Sequence, residues 1–337
     1  MHSRIHPRWP AALAVQALAA ITVAFGAASP QAVQAQPQGA WPDKPIKLVV
    51  PYPAGGNADN TARLLATQLS ERLGQQVVVD NRPGGSGTIG AAAVAKAQPD
   101  GYTLLLDATA FTVNPSLFAK LPYDTAKDFA PISLVMQAPL LMVVPAASPF
   151  KAVADVVQAA KAKPGLLTYA SAGNGGAQHL AGELFKQGAH VSMTHIPYRG
   201  GAPALTDLIG GQVDLMFSAT TASGPFVRSG KLRALAVTSA QRAPGWEQVP
   251  TVAESGLPGF QVNEWNGLFA PAGTPQPILQ RLETETRSVV ASPEMKKRFA
   301  ELGVQGVGSS AQEFKAFVQS ETAQWARVIR TGGIRMD

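Results

Sequence analysis

Two glycine-rich segments hold the residues best suited to chemistry. Pro51-Tyr52-Pro53-Ala54-Gly55-Gly56-Asn57-Ala58-Asp59 follows the apolar run Lys47–Val50, and Ser171-Ala172-Gly173-Asn174-Gly175-Gly176-Ala177-Gln178 follows Leu167–Ala170. Each reads as a turn at the carboxyl end of a strand that opens onto a helix amino terminus, the place where ligands sit in open α/β sheets. Free backbone N–H groups and the positive end of the helix dipole favour an anion there, and glycine lets the backbone come close to it. Two such turns facing each other across a cleft would grip an anion from both sides. Without a cleft, each is only a tight βα loop.

Other motifs are incomplete. Gly85-Ser86-Gly87-Thr88-Ile89-Gly90 matches G-x-G-x-x-G after the run Val77–Asp80, and Asp107 closes the next strand about where a ribose-binding acid belongs. Asn81-Arg82-Pro83-Gly84 separates that strand from the first glycine, too long for a tight dinucleotide turn, so the segment reads as a ligand-facing or merely structural loop. Gly84-Gly85-Ser86-Gly87-Thr88 lacks the final glycine of G-x-S-x-G, and Tyr169-Ala170-Ser171-Ala172-Gly173 lacks the first. Ser148-Pro149-Phe150-Lys151 fits S-x-x-K without an S-D-N or K-T-G partner. His179 and Glu183 share a helix face that could hold a metal, but no third ligand stands at a suggestive spacing. No catalytic constellation is complete, and the chain is expected not to be an enzyme.

The scaffold that positions these turns is legible as alternation. Ile46–Val50, Val77–Asp80, Thr103–Asp107, Leu140–Val144, Leu167–Ala170, Val213–Phe217 and Leu232–Thr238 are short β-branched or leucine-rich runs bounded by Gly, Pro or Asp, and read as buried strands. Between them, Ala62, Leu65, Ala66, Leu69 and Leu73 recur at helical spacing up to Gly74, and Lys151–Lys163 and Gln178–Gln187 look similar. This alternation predicts an α/β fold with a mainly parallel sheet. The tail reads as helices over Pro277–Val290, Pro293–Leu302 and about Ala311–Ile329.

Residues 1–35 read as a secretory signal. Met1–Arg8 carries Arg4 and Arg8 and no acid, the apolar run Ala11–Ala28 follows, and Val33-Gln34-Ala35 offers small residues for cleavage near Ala35. A membrane anchor is the competing reading; Gln16, Thr22 and the many alanines give that run little insertion energy. The remaining 302 residues suffice for two domains of roughly 150 each. Loss of the two arginines lowers the net charge from +6 to +4, and the longest basic run is Lys296-Lys297-Arg298. Aromatic residues, 7% of the chain, are not interleaved with the bases, so nucleic-acid binding has little support, while weak steering of anionic solutes fits. The absence of cysteine excludes a disulfide framework and a lipid-anchored cysteine, leaving stability to a hydrophobic core.

An ordered set of short motifs then carries a resemblance. Trp41-Pro42-Asp43-Lys44-Pro45-Ile46, the loop Pro51–Asp59, Asn81-Arg82-Pro83-Gly84 and Pro99-Asp100-Gly101-Tyr102-Thr103-Leu104 open it. Ala170-Ser171-Ala172-Gly173, Pro197-Tyr198-Arg199-Gly200-Gly201-Ala202-Pro203-Ala204, Gly211-Gln212-Val213-Asp214 and Gly267-Leu268-Phe269-Ala270-Pro271-Ala272-Gly273-Thr274-Pro275 continue it. Together they resemble the Bug family, the periplasmic binding proteins of tripartite tricarboxylate transporters, over essentially the whole mature chain.

The resemblance implies an α/β, two-domain periplasmic-binding-protein (Venus flytrap) fold with two crossover strands. Domain 1 would comprise residues 41–142 plus 264–337, and domain 2 residues 143–263. It implies a monomeric periplasmic receptor that captures a small carboxylate-containing molecule and delivers it to membrane permease subunits, with no cofactor and no metal. The ligand-binding residues it carries over are Tyr52, Ala54, Gly55, Gly56, Asn57 and Asp59 from the first turn, and Ala172, Gly173, Asn174, Gly175 and Gln178 from the second. Ser86, Thr88 and Tyr198 complete the candidate set. Asn57 and Gly175-Gly176 depart from the common family pattern, which leaves dicarboxylates, tricarboxylates, amino acids, aromatic acids and neutral amides all open as ligands. A receptor that signals to a membrane kinase would use the same clamp, and an exported hydrolase would need a nucleophile–base pair that the sequence does not reveal.

Overall fold

In the computed structural model the described residues are 41–334; the expected signal peptide lies outside them. The chain runs β1 (Ile46–Val50), α1 (Asn57–Leu73), β2 (Val77–Asn81), α2 (Thr88–Ala95), β3 (Thr103–Ala108), α3 (Ala110–Leu117) and the long β4 (Phe129–Pro145). Then come α4 (Val153–Ala162), β5 (Thr168–Ser171), α5 (Ala177–Ala189), β6 (Thr194–Pro197), α6 (Gly201–Ile209), β7 (Leu215–Ala219), α7 (Thr220–Arg228) and β8 (Leu232–Val237). Finally β9 (Asn263–Pro271), α8 (Gln276–Ala291), α9 (Pro293–Leu302), β10 (Gln305–Gly306) and α10 (Ala311–Gly332) close it.

The sheet is mixed, not mainly parallel. Its strands run in the order β2-β1-β3-β9-β4-β7-β5-β6, with β8 and β10 also on β4. β1 pairs in parallel with β2 and β3, and β5 with β6 and β7, as the strand–helix alternation requires. The centre is antiparallel: β9 pairs with β3 and β4, and β4 with β7 and β8. The reason is the length of β4. Its residues from Phe129 to Pro139 pair with β9, and those from Leu140 to Pro145 pair with β7 and β8, so one strand belongs to two sections of the sheet. Local sequence hid this, because Pro131, Ser133, Gln137 and Pro139 break the strand's first half and leave Leu140–Val144 as its longest apolar run.

Each section has its own core. α1 buries Ala62, Leu65, Ala66 and Leu69 at helical spacing against Leu48, Leu104 and Leu268. Each fully buried leucine there contributes on the order of 1.5–3 kcal/mol. α5 buries Leu180, Ala181 and Phe185 in a separate core with Leu140, Tyr169 and Phe217. α10 starts from a Ser310–Glu313 capping box and joins two clusters: Phe314 and Val318 meet Phe269 in a third core with Phe111 and Trp265, whereas Trp325, Val328 and Ile329 join the core of α5. Among the described residues no helix is long and apolar enough to cross a membrane.

Candidate functional site

The two glycine turns fold alike. α1 is capped by Gly56 at φ −79°, ψ 172°, and α5 by Gly176 at φ −79°, ψ 166°, and neither helix start has a side-chain cap. Backbone amides at both amino termini are therefore left for another acceptor. One residue before each cap stands a glycine in the left-handed region, Gly55 at φ 82° and Gly175 at φ 76°. Gly56 itself has an extended backbone open to any residue, so strain on substitution belongs to Gly55, Gly173 (φ 137°) and Gly175.

In the first turn, Ala54, Gly55 and Gly56 are exposed and Asn57 is half-buried. Asp59 does not face outward with them. It is 2% exposed, and its carboxylate accepts from the Gly55 amide at 2.8 Å, Arg63 Nε at 3.0 Å and Asn81 Nδ2 at 2.9 Å. Burial pushes its pKa up, but these donors outweigh burial and hold it below the usual carboxylate range. Asp59 thus braces the turn from within. Tyr52 likewise points its hydroxyl inward, donating to Asp107 Oδ1 at 2.8 Å. Burial raises the Asp107 pKa to about 7, against the pull of the Ala108 amide and Tyr52.

In the second turn, Ala172, Gly173 and Gln178 are half-buried, Asn174 is exposed and Gly175 is buried. The Gly175 amide donates to His179 Nδ1 at 3.1 Å. Ser171 Oγ accepts from the Gly173 amide at 3.2 Å, reaches the Gly173 carbonyl at 2.9 Å, and lies 2.7 Å from His195 Nε2. The His179 and His195 rings stack at 4.0 Å between centroids. Burial depresses both pKa values, that of His195 to about 3. Tyr198 is committed elsewhere: its hydroxyl donates to Asp207 at 2.7 Å and its amide to the Ser171 carbonyl at 3.0 Å.

Ser171 and His195 are a serine–histidine contact that sequence spacing could not reveal, since it depends on β5 pairing with β6. As a nucleophile–base pair it is poorly built. The serine is fully buried, its hydroxyl is engaged by Gly173, and an imidazole with a pKa near 3 is a weak base at neutral pH. The metal reading of His179 and Glu183 fares no better. Glu183 accepts from Tyr169 at 2.6 Å and Lys186 at 2.7 Å, and no group of three potential ligands exists among the described residues.

Intermediate residues connect the two turns. Gly87 lies against Pro51 and Tyr52 of the first turn. The neighbouring Ser86, left-handed at φ 53°, accepts at its carbonyl from Asn114 on α3 at 2.9 Å. α3 in turn touches the second turn, since a Cβ built on Gly175 would come within 2.7 Å of Leu117. Thr88 begins α2 in the same segment. Sequence reasoning missed Glu264 and Asn266 on β9, beside the first turn: burial raises the Glu264 pKa while the Asn57 amide pulls it down. A groove of about 890 Å³ opens elsewhere, between α3 and α10 around Phe111, Phe129 and Val318, and none of the candidate residues lines it.

Known proteins share this arrangement of elements. The UPF0065 protein in the tcbD-tcbE intergenic region of Pseudomonas sp. (strain P51) is 41% identical over 313 residues, 93% of this chain and 92% of the relative. The solved structure of R. palustris Rpa4515 with adipate is 38% identical with a TM-score of 0.81, covering 88% of this chain and 100% of that one. The periplasmic binding protein BugD is 38% identical with a TM-score of 0.77 over the same shares. These similarities establish the α/β periplasmic-binding-protein fold. The model of TctC, described as the tripartite tricarboxylate transporter family receptor, matches residues 61–334, and the chain belongs to that family.

Proposed function

We propose that the protein is a periplasmic receptor that closes two lobes, residues 41–142 with 264–337 and residues 143–263, on a small molecule bearing a carboxylate. It then delivers that molecule, as a monomer, to the permease subunits of a tripartite tricarboxylate-type transporter. The observation that carries this reading is the matched pair of helix starts at Gly56 and Gly176, each without a side-chain cap and each preceded by a left-handed glycine. Such amides suit a carboxylate oxygen and need no buried arginine. The chain crosses between the sheet sections near Pro139–Leu140 and again near Val262–Asn263, where a hinge would lie. A neighbour with 38% identity holds adipate, a carboxylate of this size class.

Thermal shift over a panel of small acids and their neutral methyl or amide analogues tests the reading. An acid present at a hundredfold excess over its Kd adds about 2.7 kcal/mol to stability, a shift of several degrees, and the same acid should shrink the radius of gyration in solution scattering. Neutral analogues that outperform every acid would overturn it.

A further inference from the structure

Beside the first glycine turn lies a polar corner that the two turns do not use. β9 presents one face to α1: Leu268 and Ala270 pack with Ala58, Ala62 and Leu65. Side chains alternate along a strand, so Asn266 and Glu264 continue that face toward the start of α1, where Asn57 stands. The Asn57 amide acts on Glu264, and Tyr52 feels its charge, which sets Glu264 against the first turn. Register puts Glu264 opposite Ala138 on β4, and Asn266 between Met136 on β4 and Ala108 on β3. The corner thus lies close to where the chain crosses between the sheet sections.

Four buried polar atoms here lack a well-formed hydrogen bond: Asn57 Nδ2, which reaches Glu264 only loosely, Glu264 Oε2, and both Oδ1 and Nδ2 of Asn266. Asn266 is fully buried. Unpaired buried polar groups are costly and rare, and four together mark a place built for a polar group from elsewhere. The surrounding charge indicates which. Neither Glu264 nor Asp107 has a lysine or arginine among the groups that act on it, and the nearby Arg63 is held by Asp59. The tyrosines Tyr52 and Tyr123 are the other titratable groups there. A second carboxylate would meet like charge at low dielectric. An ammonium, with three donors and no acceptor, would meet Glu264 Oε2 and Asn266 Oδ1, while Asn57 Nδ2 stays available to a carboxylate.

We propose that Glu264 and Asn266 form an ammonium-accepting corner beside Asn57, whose Nδ2 faces the ligand carboxylate, and that the ligand is an amino acid. The inference rests on the cleft being a carboxylate site: the turn amides hold the carboxylate, and the amine, one or two carbons away, reaches Glu264. Glu264 and Asn266 are then specificity-determining residues.

Calorimetry of the purified protein with matched pairs tests this, each amino acid beside its desamino acid: aspartate with succinate, glutamate with glutarate, leucine with 4-methylpentanoate, and so through the common set. The best amino acid is expected to bind at least about tenfold tighter than its desamino partner, the effect of one hydrogen bond to a charged group. Glu264→Gln should remove most of that ratio and leave the desamino acid within about threefold of its wild-type affinity. Asn57→Asp, which adds an acid to the corner, should widen the ratio, and it decides the matter where Glu264→Gln fails to fold. Desamino acids that bind as tightly as amino acids, or a ratio indifferent to both substitutions, would overturn the proposal and leave the carboxylate receptor standing. Failure of every acid, aminated or not, would overturn the carboxylate reading and this proposal with it.

Discussion

The backbone amide of Gly175 donates to Nδ1 of His179 at 3.1 Å, across the first turn of α5. Gly55 does the same to Asp59 at 2.8 Å at the start of α1. In both turns the donor is a left-handed glycine, and the acceptor stands four residues on, at the third position of the helix. Two different side chains thus solve one problem, fixing a glycine turn so that the helical amides beside it stay free. The first is an ionised acid paired with Arg63; the second is a neutral imidazole, which accepts only while Nδ1 carries no proton.

The brace at His179 can be separated from the bulk of its ring. Asparagine places an acceptor oxygen close to where Nδ1 lies, and leucine fills the space with none. His179→Leu is expected to lose about 1–3 kcal/mol of stability and most ligand affinity, while His179→Asn keeps the larger part of both. Urea unfolding with calorimetry checks it. Equal losses in both variants would mean that stacking on His195, not the hydrogen bond to Gly175, is what matters.

Adjacent glycines in these turns should respond differently to a methyl group. Gly56 has φ −79° and its nearest atom to a built Cβ is the Pro53 carbonyl at 3.5 Å, so Gly56→Ala should leave the fold intact. Gly175→Ala combines a left-handed backbone with a 2.7 Å approach to Leu117, and is expected to cost more than the ~1–2 kcal/mol of strain alone. Gly55→Ala has the strain without the clash and should fall between them. Melting temperatures in the order Gly56→Ala, Gly55→Ala, Gly175→Ala are the expected outcome, and a different order would show that this geometry does not govern the turns.

Tyr52 gives a prediction that depends on the charge of its partner. Its hydroxyl and the Ala108 amide are the donors to Asp107. A hydrogen bond to an ionised acceptor is roughly twice as strong as one to a neutral group. With the Asp107 pKa raised to about 7, Tyr52→Phe should cost more stability at pH 8 than at pH 5. Denaturant midpoints at the two pH values test this, and equal losses would place the Asp107 titration elsewhere.

The parts of this site that were legible in the sequence are those determined over a few residues. A buried run such as Ile46–Val50 followed by glycines and an amphipathic helix specifies a βα turn locally, and the strand β1 has the expected bounds. What escaped depends on pairing between distant segments. Asn263–Pro271 begins with the polar Asn-Glu-Trp-Asn, which carries no apolar periodicity, so neither β9 nor the placement of Glu264 beside Asn57 could be read from it. His195 meets Ser171 only because β6 adds to β5, and the bracing of Asp59 by Arg63 and Asn81 was not legible because Asn81 reaches it only on folding.

Acid should act on the two ends of the site with opposite sign. His179 and His195 have pKa values lowered by burial, that of His195 to about 3, against about 6.5 in an unfolded chain. The unfolded state therefore binds protons that the folded state refuses. Their contribution is fully present above about pH 6.5 and is lost as the pH falls toward the folded value. Asp107 runs the other way: its pKa is raised to about 7, so between about pH 7 and 4 the folded state takes up the proton first and gains stability on acidification. Glu264, also raised by burial, adds to that gain. The two slopes oppose each other between about pH 4 and 6.5, and the variants expose each arm. Asp107→Asn removes the acid-side gain, so its melting temperature should exceed wild type at pH 8 and fall more steeply on acidification. His195→Gln keeps a polar group toward Ser171 without titrating, and its melting temperature should fall less than that of wild type. Scanning fluorimetry of the three proteins from pH 8 to 4 gives the answer, and three parallel curves would mean that neither buried group titrates as its surroundings require.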